Sequence, residues 1–422
     1  VSAGLLEQRL GALPPDWAVV RLGELPLKSA VGYGITRPGP HADDGVGMVR
    51  AADVQDGRIR PDQARLVSRQ VDDAHARSRI AAGDVLVVMV GRVGEAALAN
   101  GEFQGWNISR TVGRVSLADD APVAPDWLAA WLNSSLARAW CAARATGSTL
   151  QRTLNLAALR ELPVPVPPRA QAREFLRLLA VVEQKSEVDR AIVRTAPQVA
   201  DAWFRAETAG EPPGPVFGEL ARISIGSRVR PHPESGESVG PCVPSVPVVA
   251  PADILQSELA HLRHIGAEQA AAPDMPLCPP GSLLVAAREG GVHVVVNDQV
   301  VAPGRGVLVL EPAFEDDRYW LLHGIRCRAA DLASTAQGAG GREISHRAFA
   351  AATTAWAPAH VRARFAEVAG RLHARARTAA EEIGTLTALR EALFVEFLAG
   401  GSVRRGGFVT GGGVQEGLFG VE

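Results

Sequence analysis

Glu183-Gln184-Lys185 has the carboxylate and lysine that a metal-dependent nuclease core would need. The triplet lies in a long helical run, however, with no supporting acidic residue on a strand, and a solvated charge pair on a helix face accounts for it. Asp43-Asp44, Asp72-Asp73 and Asp119-Asp120 fall in polar contexts and read as solvated turns. Gly91 to Glu95, "GRVGE", follows a strand-like run, but lacks the G-x-G-x-x-G spacing and leads into more strand. The sequence contains no G-x-x-x-x-G-K-[ST] loop, no H-E-x-x-H, and no Asn-Pro-Pro-aromatic or Asp-Pro-Pro-aromatic run. Cys141, Cys242, Cys278 and Cys327 stand too far apart for a zinc knuckle and read as free thiols. No catalytic constellation can be assembled from spacing. What remains are recognition groups, above all arginine: Lys28 and Lys185 are the only lysines among 44 basic residues. Arginine suits guanine edges and phosphates, although a GC-rich genome would produce the same bias.

The elements that could position such groups emerge from an internal duplication. "RLGEL" (Arg21 to Leu25) returns as "VFGEL" (Val216 to Leu220), and "GDVLVVMVGRVGEAAL" (Gly83 to Leu98) as "GSLLVAAREGGVHVVV" (Gly281 to Val296). "DWLAAWLNS" (Asp126 to Ser134) returns as "YWLLHGIRC" (Tyr319 to Cys327), and "ADAWFRAETAG" (Ala200 to Gly210) as "REALFVEFLAG" (Arg390 to Gly400). "GSTLQRTLNLAAL" (Gly147 to Leu159) has a weaker echo in "GAGGREISHRAF" (Gly338 to Phe349). The order is kept and the offsets stay near 190 to 198, so the repeating unit is of domain size.

Each unit has a part rich in short Val/Leu runs separated by Gly, Pro and Asp, which reads as strands and turns. A run of about 40 residues with helical periodicity follows. The first run shows Phe175, Val182, Val188, Ile192, Val199 and Trp203 near a 3-4 spacing; the second shows Val361, Phe365, Val368, Leu372, Ala376, Ala379, Ile383, Leu386, Leu393 and Phe397. That alternation predicts an antiparallel coiled-coil pair, with a distortion at Pro197. "LPVPVPPRAQ" (Leu162 to Gln171) should hold the chain extended just before the first helix. The expected boundaries are 1–168 and 211–357 for two strand-rich domains, 169–210 and 358–400 for two spacer helices, and 401–422 for a Gly-rich tail. The fold class is thus α/β, with two similar domains separated by a helical ruler.

Composition sets outer limits. With 422 residues, 47% hydrophobic and a net charge of −2, the chain has the makeup of a globular protein and shows no global basic excess. No apolar run reaches the roughly 18 residues of a membrane span. The opening "VSAGLLEQRL" lacks a signal-peptide pattern, so a cytoplasmic location is expected.

Several segments resemble the specificity subunit of type I restriction-modification systems. These are "LPPDWAVVRLGEL" (Leu13 to Leu25), "VGYGITRPG" (Val31 to Gly39), "MVRAADVQDGRI" (Met48 to Ile59), "RIAAGDVLVVMVGRVGEAAL" (Arg79 to Leu98) and "GSTLQRTLNLAALRELPVPVPPRAQAREFL" (Gly147 to Leu176). The resemblance is close in the first half and degraded in the second. It implies two target recognition domains, each reading half of a bipartite double-stranded DNA sequence, and no catalytic centre. It also implies two methyltransferase subunits as partners, which carry S-adenosylmethionine, and in the full complex nuclease-translocase subunits. Candidate DNA-contacting residues on that reading are Tyr33, Thr36, Arg37, Arg50, Arg92, Asn107, Ser109 and Arg110 in the first domain. In the second they are Ser227, Arg228, Arg230, Arg288, His293, Asn297 and Gln299. "GWNISR" (Gly105 to Arg110) is the favoured loop, with Trp106 as anchor and its neighbours outward. The alternatives are a homologous adaptor in another phage-defence complex, and a self-sufficient nuclease or methyltransferase, which would need a motif that is absent.

Overall fold

The Val- and Leu-rich runs form two four-stranded antiparallel sheets with the same strand order. In the first, Leu27–Tyr33, Val112–Leu117, Val85–Val88 and Ala96–Leu98 lie side by side. In the second the order is Ala221–Ile225, Val307–Pro312, Leu283–Arg288 and Gly291–Val296. Central strands such as Val85–Val88 are buried on both faces, as their unbroken apolar composition requires. A three-stranded sheet accompanies each: Arg65–Val67, Val46–Val49 and Asn107–Ile108 in one, Glu268–Ala270, Ser245–Val249 and Ala302–Pro303 in the other. Both pair antiparallel on one side and parallel on the other. The computed structural model describes residues 6, 9–61, 63–147, 152–227, 245–255, 260–261, 268–270, 276–288, 291–335, 344–400, 402–404 and 407–409. The chain divides into two units, residues 1–183 with 386–422, and residues 184–385.

The proline run is a strand. Pro163–Val166 pairs antiparallel with Ala18–Arg21 in a two-stranded sheet, where the missing proline N–H groups break no central ladder. Its carbonyls are used: the Trp127 indole donates to Pro165 O at 2.8 Å and the Trp131 indole to Pro163 O at 2.9 Å. Two residues later the first long helix, Arg169–Glu207, begins; the second is Ala359–Leu398.

Aromatic clusters join helix to domain in both units. In the first, Trp127 meets Phe175 from the start of one helix and Phe394 and Phe397 from the end of the other, with Phe175 and Phe397 stacked at 4.1 Å. In the second, Trp320 meets Phe365 from the start of one helix and Phe204 from the end of the other. The correspondence extends to the indole: Trp320 donates to Ala355 O at 2.9 Å, as Trp127 does to Pro165 O. These partners are separated by 190 to 193 residues in sequence, which makes the duplication structural as well as textual.

The helix seam differs from the one read in sequence. In the first helix the buried positions Phe175, Leu179, Val182, Ser186, Asp189, Val193, Ala196 and Ala200 follow a 4-3 alternation, with Pro197, Asp201 and Phe204 also buried. Val188 and Val199 are 52% and 55% exposed. In the second helix Phe365, Ala376, Ala379, Leu393 and Phe397 are buried as expected, but Val368 is exposed and His373 is fully buried. The error arose from following the largest apolar residues, because the true seam is filled by alanine and polar groups. Val193, Ala196, Ala376, Ala379 and Ala380 form one cluster. Asp189, fully buried, is met by Lys185 at 2.5 Å, and Lys185 also reaches Glu382 at 2.6 Å. Lys185 therefore closes an interhelical ion pair within its unit, and the nuclease-like triplet has a packing role. The helix continues through Pro197, which costs Val193 O its usual donor.

The revised phase is testable. Ala379→Glu should destabilise the protein by about 3–5 kcal/mol, because an unpaired carboxylate would be buried. Val188→Glu should stay within about 0.5 kcal/mol of wild type. Chemical denaturation followed by circular dichroism distinguishes the two phases, and the reverse order would restore the seam through Val188 and Val199.

Candidate nucleic-acid interface

At one end of the first sheet, four chain segments converge. Ile35 bridges Ser109 in parallel fashion, and Arg110 N donates to Ile35 O at 2.8 Å. Met89 N donates to Thr111 O at 2.9 Å, Val90 bridges Thr153, and the Tyr33 hydroxyl accepts from Leu156 N at 3.2 Å. Gly34 makes this convergence possible, since a Cβ there would collide with the Ile108 carbonyl. Residues 33–37, 90–92, 109–111 and 152–155 thus share one edge. Tyr33, Thr36, Arg37, Arg92 and Arg110 are brought together there and are all exposed. Arg152 joins them, also exposed; it was not singled out from sequence, although it lies inside the quoted "GSTLQRTLNLAAL" run.

These arginines are not equivalent. Among the described residues, Arg37, Arg110 and Arg152 have no side-chain partner, so their guanidinium groups are free for an incoming phosphate or guanine edge. Arg92 holds Glu95 at 2.5 Å and donates to Val54 O at 2.7 Å. Arg50 makes a two-pronged contact with Asp53, at 3.0 and 2.9 Å, and reaches Gln63 O at 3.4 Å. Both are tied into the turns they belong to, with part of each surface still open.

Two residues of the favoured loop point inward, correcting the expectation of base contact. Asn107 is fully buried; it accepts from Ser78 Oγ at 2.7 Å and from Ile108 N at 2.9 Å, and donates to Asp72 at 2.9 Å. Asp72 is likewise no solvated turn. Burial acts to raise its pKa, but hydrogen bonds from Arg79 and Asn107 hold it below the usual carboxylate range. Ser109 is buried, 2.6 Å from Thr111 Oγ1. The anchor is as expected: Trp106 packs edge-on to Phe103 and over Gly47, where a Cβ would strike the indole. The loop is held by three consecutive buried residues, Asn107, Ile108 and Ser109, so only Arg110 of the candidates within it emerges.

In the second unit, Ser227 is exposed and bridges Gly304. His293 and Gln299 are exposed, whereas Asn297 is fully buried and donates to Gln299 O at 2.7 Å. Asn297 therefore braces its own turn, which again corrects the sequence expectation. Arg228, Arg230 and the side chain of Arg288 lie outside the described residues. Arg305, exposed and without a side-chain partner among the described residues, was missed. Carrying the strand alignment beyond Val296 would have found it.

A cavity of about 470 Å³ in the first unit sits at the other end of the same strands, lined by Lys28, Asp84, Asp119, Trp127, Arg169 and Arg173 among others. It is thus separate from the arginine edge. Cys141 and Cys278 are buried free thiols, and burial pushes Cys141 up to about 12; Cys242 lies outside the described residues.

The second unit also buries a polar cluster. His323 Nδ1 is 2.6 Å from Asp201, its Nε2 is 2.9 Å from His373 Nε2, and Arg326 grips Asp201 at 2.8 Å. His261 lies edge-on to His373 and 3.5 Å from Asp298. The two contacts are compatible when His323 donates to Asp201 and accepts from a neutral His373, whose buried Nδ1 has no hydrogen-bond partner among the described residues. Burial lowers the pKa of both His323 and His373, outweighing the Asp201 hydrogen bond to His323. Burial tends to raise Asp201, but bonds from His323 and Arg326 hold it far below the carboxylate range.

Comparison with known proteins places this geometry. No family model matches the chain. It is 26% identical over 231 residues to the type I restriction enzyme EcoBI specificity subunit of Escherichia coli, covering 52% of this chain and 48% of that one. The matched stretch thus spans about half the length of that relative. Among solved structures, the type I restriction-modification S subunit from M. genitalium superimposes with a TM-score of 0.51 at 12% identity, over 90% of this chain and 96% of that one. The HsdS subunit from Thermoanaerobacter tengcongensis aligns at 20% identity, over 92% and 98% of the chains, with a TM-score of 0.37. The resemblance read from sequence therefore holds in both sequence and fold: mixed α/β units with two long helices packed together.

The His cluster makes stability fall with acid. An unfolded histidine titrates near about 6.5, and the folded values are lower, so the unfolded state binds more protons below that point. The stabilisation is complete above about pH 6.5 and is lost progressively as pH falls below it. The thermal midpoint should drop between about pH 7.5 and 5.5, and His373→Leu should flatten that slope. An unchanged slope in the variant would remove the cluster as its source.

Proposed function

We propose that this chain is the sequence-specific DNA-recognition subunit of a type I restriction-modification complex. It has no catalytic role of its own and reads a bipartite double-stranded target. The observation that carries the reading is the duplicated unit with a loop edge of unpartnered arginines at the end of its sheet. Free guanidinium groups on a rigid strand-end scaffold can make both phosphate contacts and bidentate guanine contacts. On this reading residues 1–168 and 211–357 are the target recognition domains, 169–210 and 358–400 the spacer helices, and 401–422 a tail. Two methyltransferase subunits bind and bring S-adenosylmethionine; nuclease-translocase subunits join in the full complex. The site of action is the cytoplasm, where the DNA is.

The helices supply the docking surface for the methyltransferases. Val181 and Val188, seven residues apart and 64% and 52% exposed, lie off the buried seam, as does Val199. A heptad-spaced apolar stripe outside an already filled seam suits a further helix. Val188→Glu combined with Val199→Glu should leave folding intact and sharply reduce co-purification of a co-expressed methyltransferase. Undiminished co-purification would place the docking surface elsewhere.

The DNA reading is tested by exchange. Replacing Gly214 to Trp356 with the matching domain of a relative should change one half of the methylated sequence and leave the other intact, as read by methylome sequencing. If both halves change together, the two domains do not read independently.

A further inference from the structure

Comparison of the two units bond by bond isolates one cation that recurs. Ile35 N donates to Ile108 O at 2.7 Å, and Ser227 N donates to Pro303 O at 3.1 Å. Gly34 and Gly226 both abut the corresponding strand: a Cβ on Gly34 would strike the Ile108 carbonyl, and one on Gly226 the carbonyls of Gly304 and Pro303. The strand residue that follows forms a parallel bridge, Ser109 with Ile35 and Gly304 with Ser227. A two-residue turn comes next, closed by Val112 N to Ser109 O at 3.0 Å and by Val307 N to Gly304 O at 3.1 Å. The first turn residue is Arg110 in one unit and Arg305 in the other. Both are exposed, and among the described residues neither has a side-chain partner.

The strand and turn residues on either side of this arginine differ. Asn107 corresponds to Ala302, Ser109 to Gly304 and Thr111 to Gly306. Two domains that read different half-sites should differ in the groups that touch base edges. A group retained in the same backbone frame should touch what every duplex shares. We propose that Arg110 and Arg305 are equivalent phosphate contacts, one per recognition domain, which set each domain's register on the duplex without reading sequence. This rests on the DNA-recognition reading above and assigns Arg305 a role alongside Arg110. The turn supports it: the arginine leaves a hydrogen-bonded bridge pinned by glycine, so the position of its Cα is fixed whatever the flanking loops do.

The test uses the full chain, purified with whatever subunits accompany it, and a pool of random-sequence duplexes. Selection first yields a preferred duplex, and a scrambled duplex of equal composition serves as control. If the wild-type chain selects no sequence, the underlying DNA-recognition reading fails. If it does, Arg305→Ala and Arg110→Ala should each weaken binding to preferred and scrambled duplexes alike, by about tenfold, and lower the salt-dependence slope by about one. Reselection with each variant should return the same sequence, and Arg305→Lys should restore most of the loss, because a phosphate accepts a point charge. Thermal melting checks that the variants fold. A changed preference at one base pair, without rescue by lysine, would make the residue a base reader; unaltered affinity and slope would make it a bystander. Either result overturns the proposal.

Discussion

The fold depends on two buried tryptophans. Trp127 and Trp320 each bury a large ring against phenylalanines from the start of one long helix and the end of the other, and each fixes its orientation by an indole hydrogen bond to a carbonyl shortly before a helix begins. A buried indole supplies extensive apolar contact and a single donor that must be satisfied. Its partner carbonyl, Pro165 O or Ala355 O, lies in the extended segment that leads into the helix. The same contact therefore glues helix to domain and sets where the helix starts. Proline suits this place in the first unit, because its carbonyl remains available while its absent N–H is not missed in a two-stranded sheet.

Between these joints, the helix seam is specified more by polar groups than by bulk. Alanine fills much of it, which permits close packing but defines register weakly. Register comes from ion pairs across the seam, Lys185 with Glu382 and the buried Asp189 with Arg375 at 3.6 Å, since a slip would part each carboxylate from its partner on the other helix. The Asp201–His323–His373 chain acts similarly within its unit. The cost is borne in stability and gives it a dependence on proton concentration.

These features explain what could be read from sequence and what could not. The duplication, the two long helices and the extended proline segment were visible because they rest on local patterns: repeated motifs, apolar periodicity and proline's fixed φ. The apolar pattern points to Val188 and Val199 because large apolar residues dominate it, whereas Asp189 and His373 are buried against partners in other elements, Arg375 and His323. The candidate interface was legible as a loop but not residue by residue. Nothing local distinguishes Asn107, whose amide is consumed by Ser78 and Asp72, from an amide left free for a base. Arg110 and Arg92 look alike in sequence, and Glu95 together with the Val54 carbonyl separates an engaged guanidinium from a free one.

The glycine pins have a consequence for how such a protein could change. No side chain fits at Gly34 or Gly226, so those two points of the backbone are closed to variation. The lengths of chain that follow are unequal: Val46 begins the next strand 12 residues after Gly34, while Ser245 does so 19 residues after Gly226. Seven additional residues have been accommodated without disturbing the strand order, the parallel bridge or the turn that follows it. A fixed point beside an interval whose length differs between the units is a mechanical arrangement for innovation. Insertions and substitutions in the interval can alter what is presented at the sheet end, while the pinned strand keeps the surrounding core from registering the change.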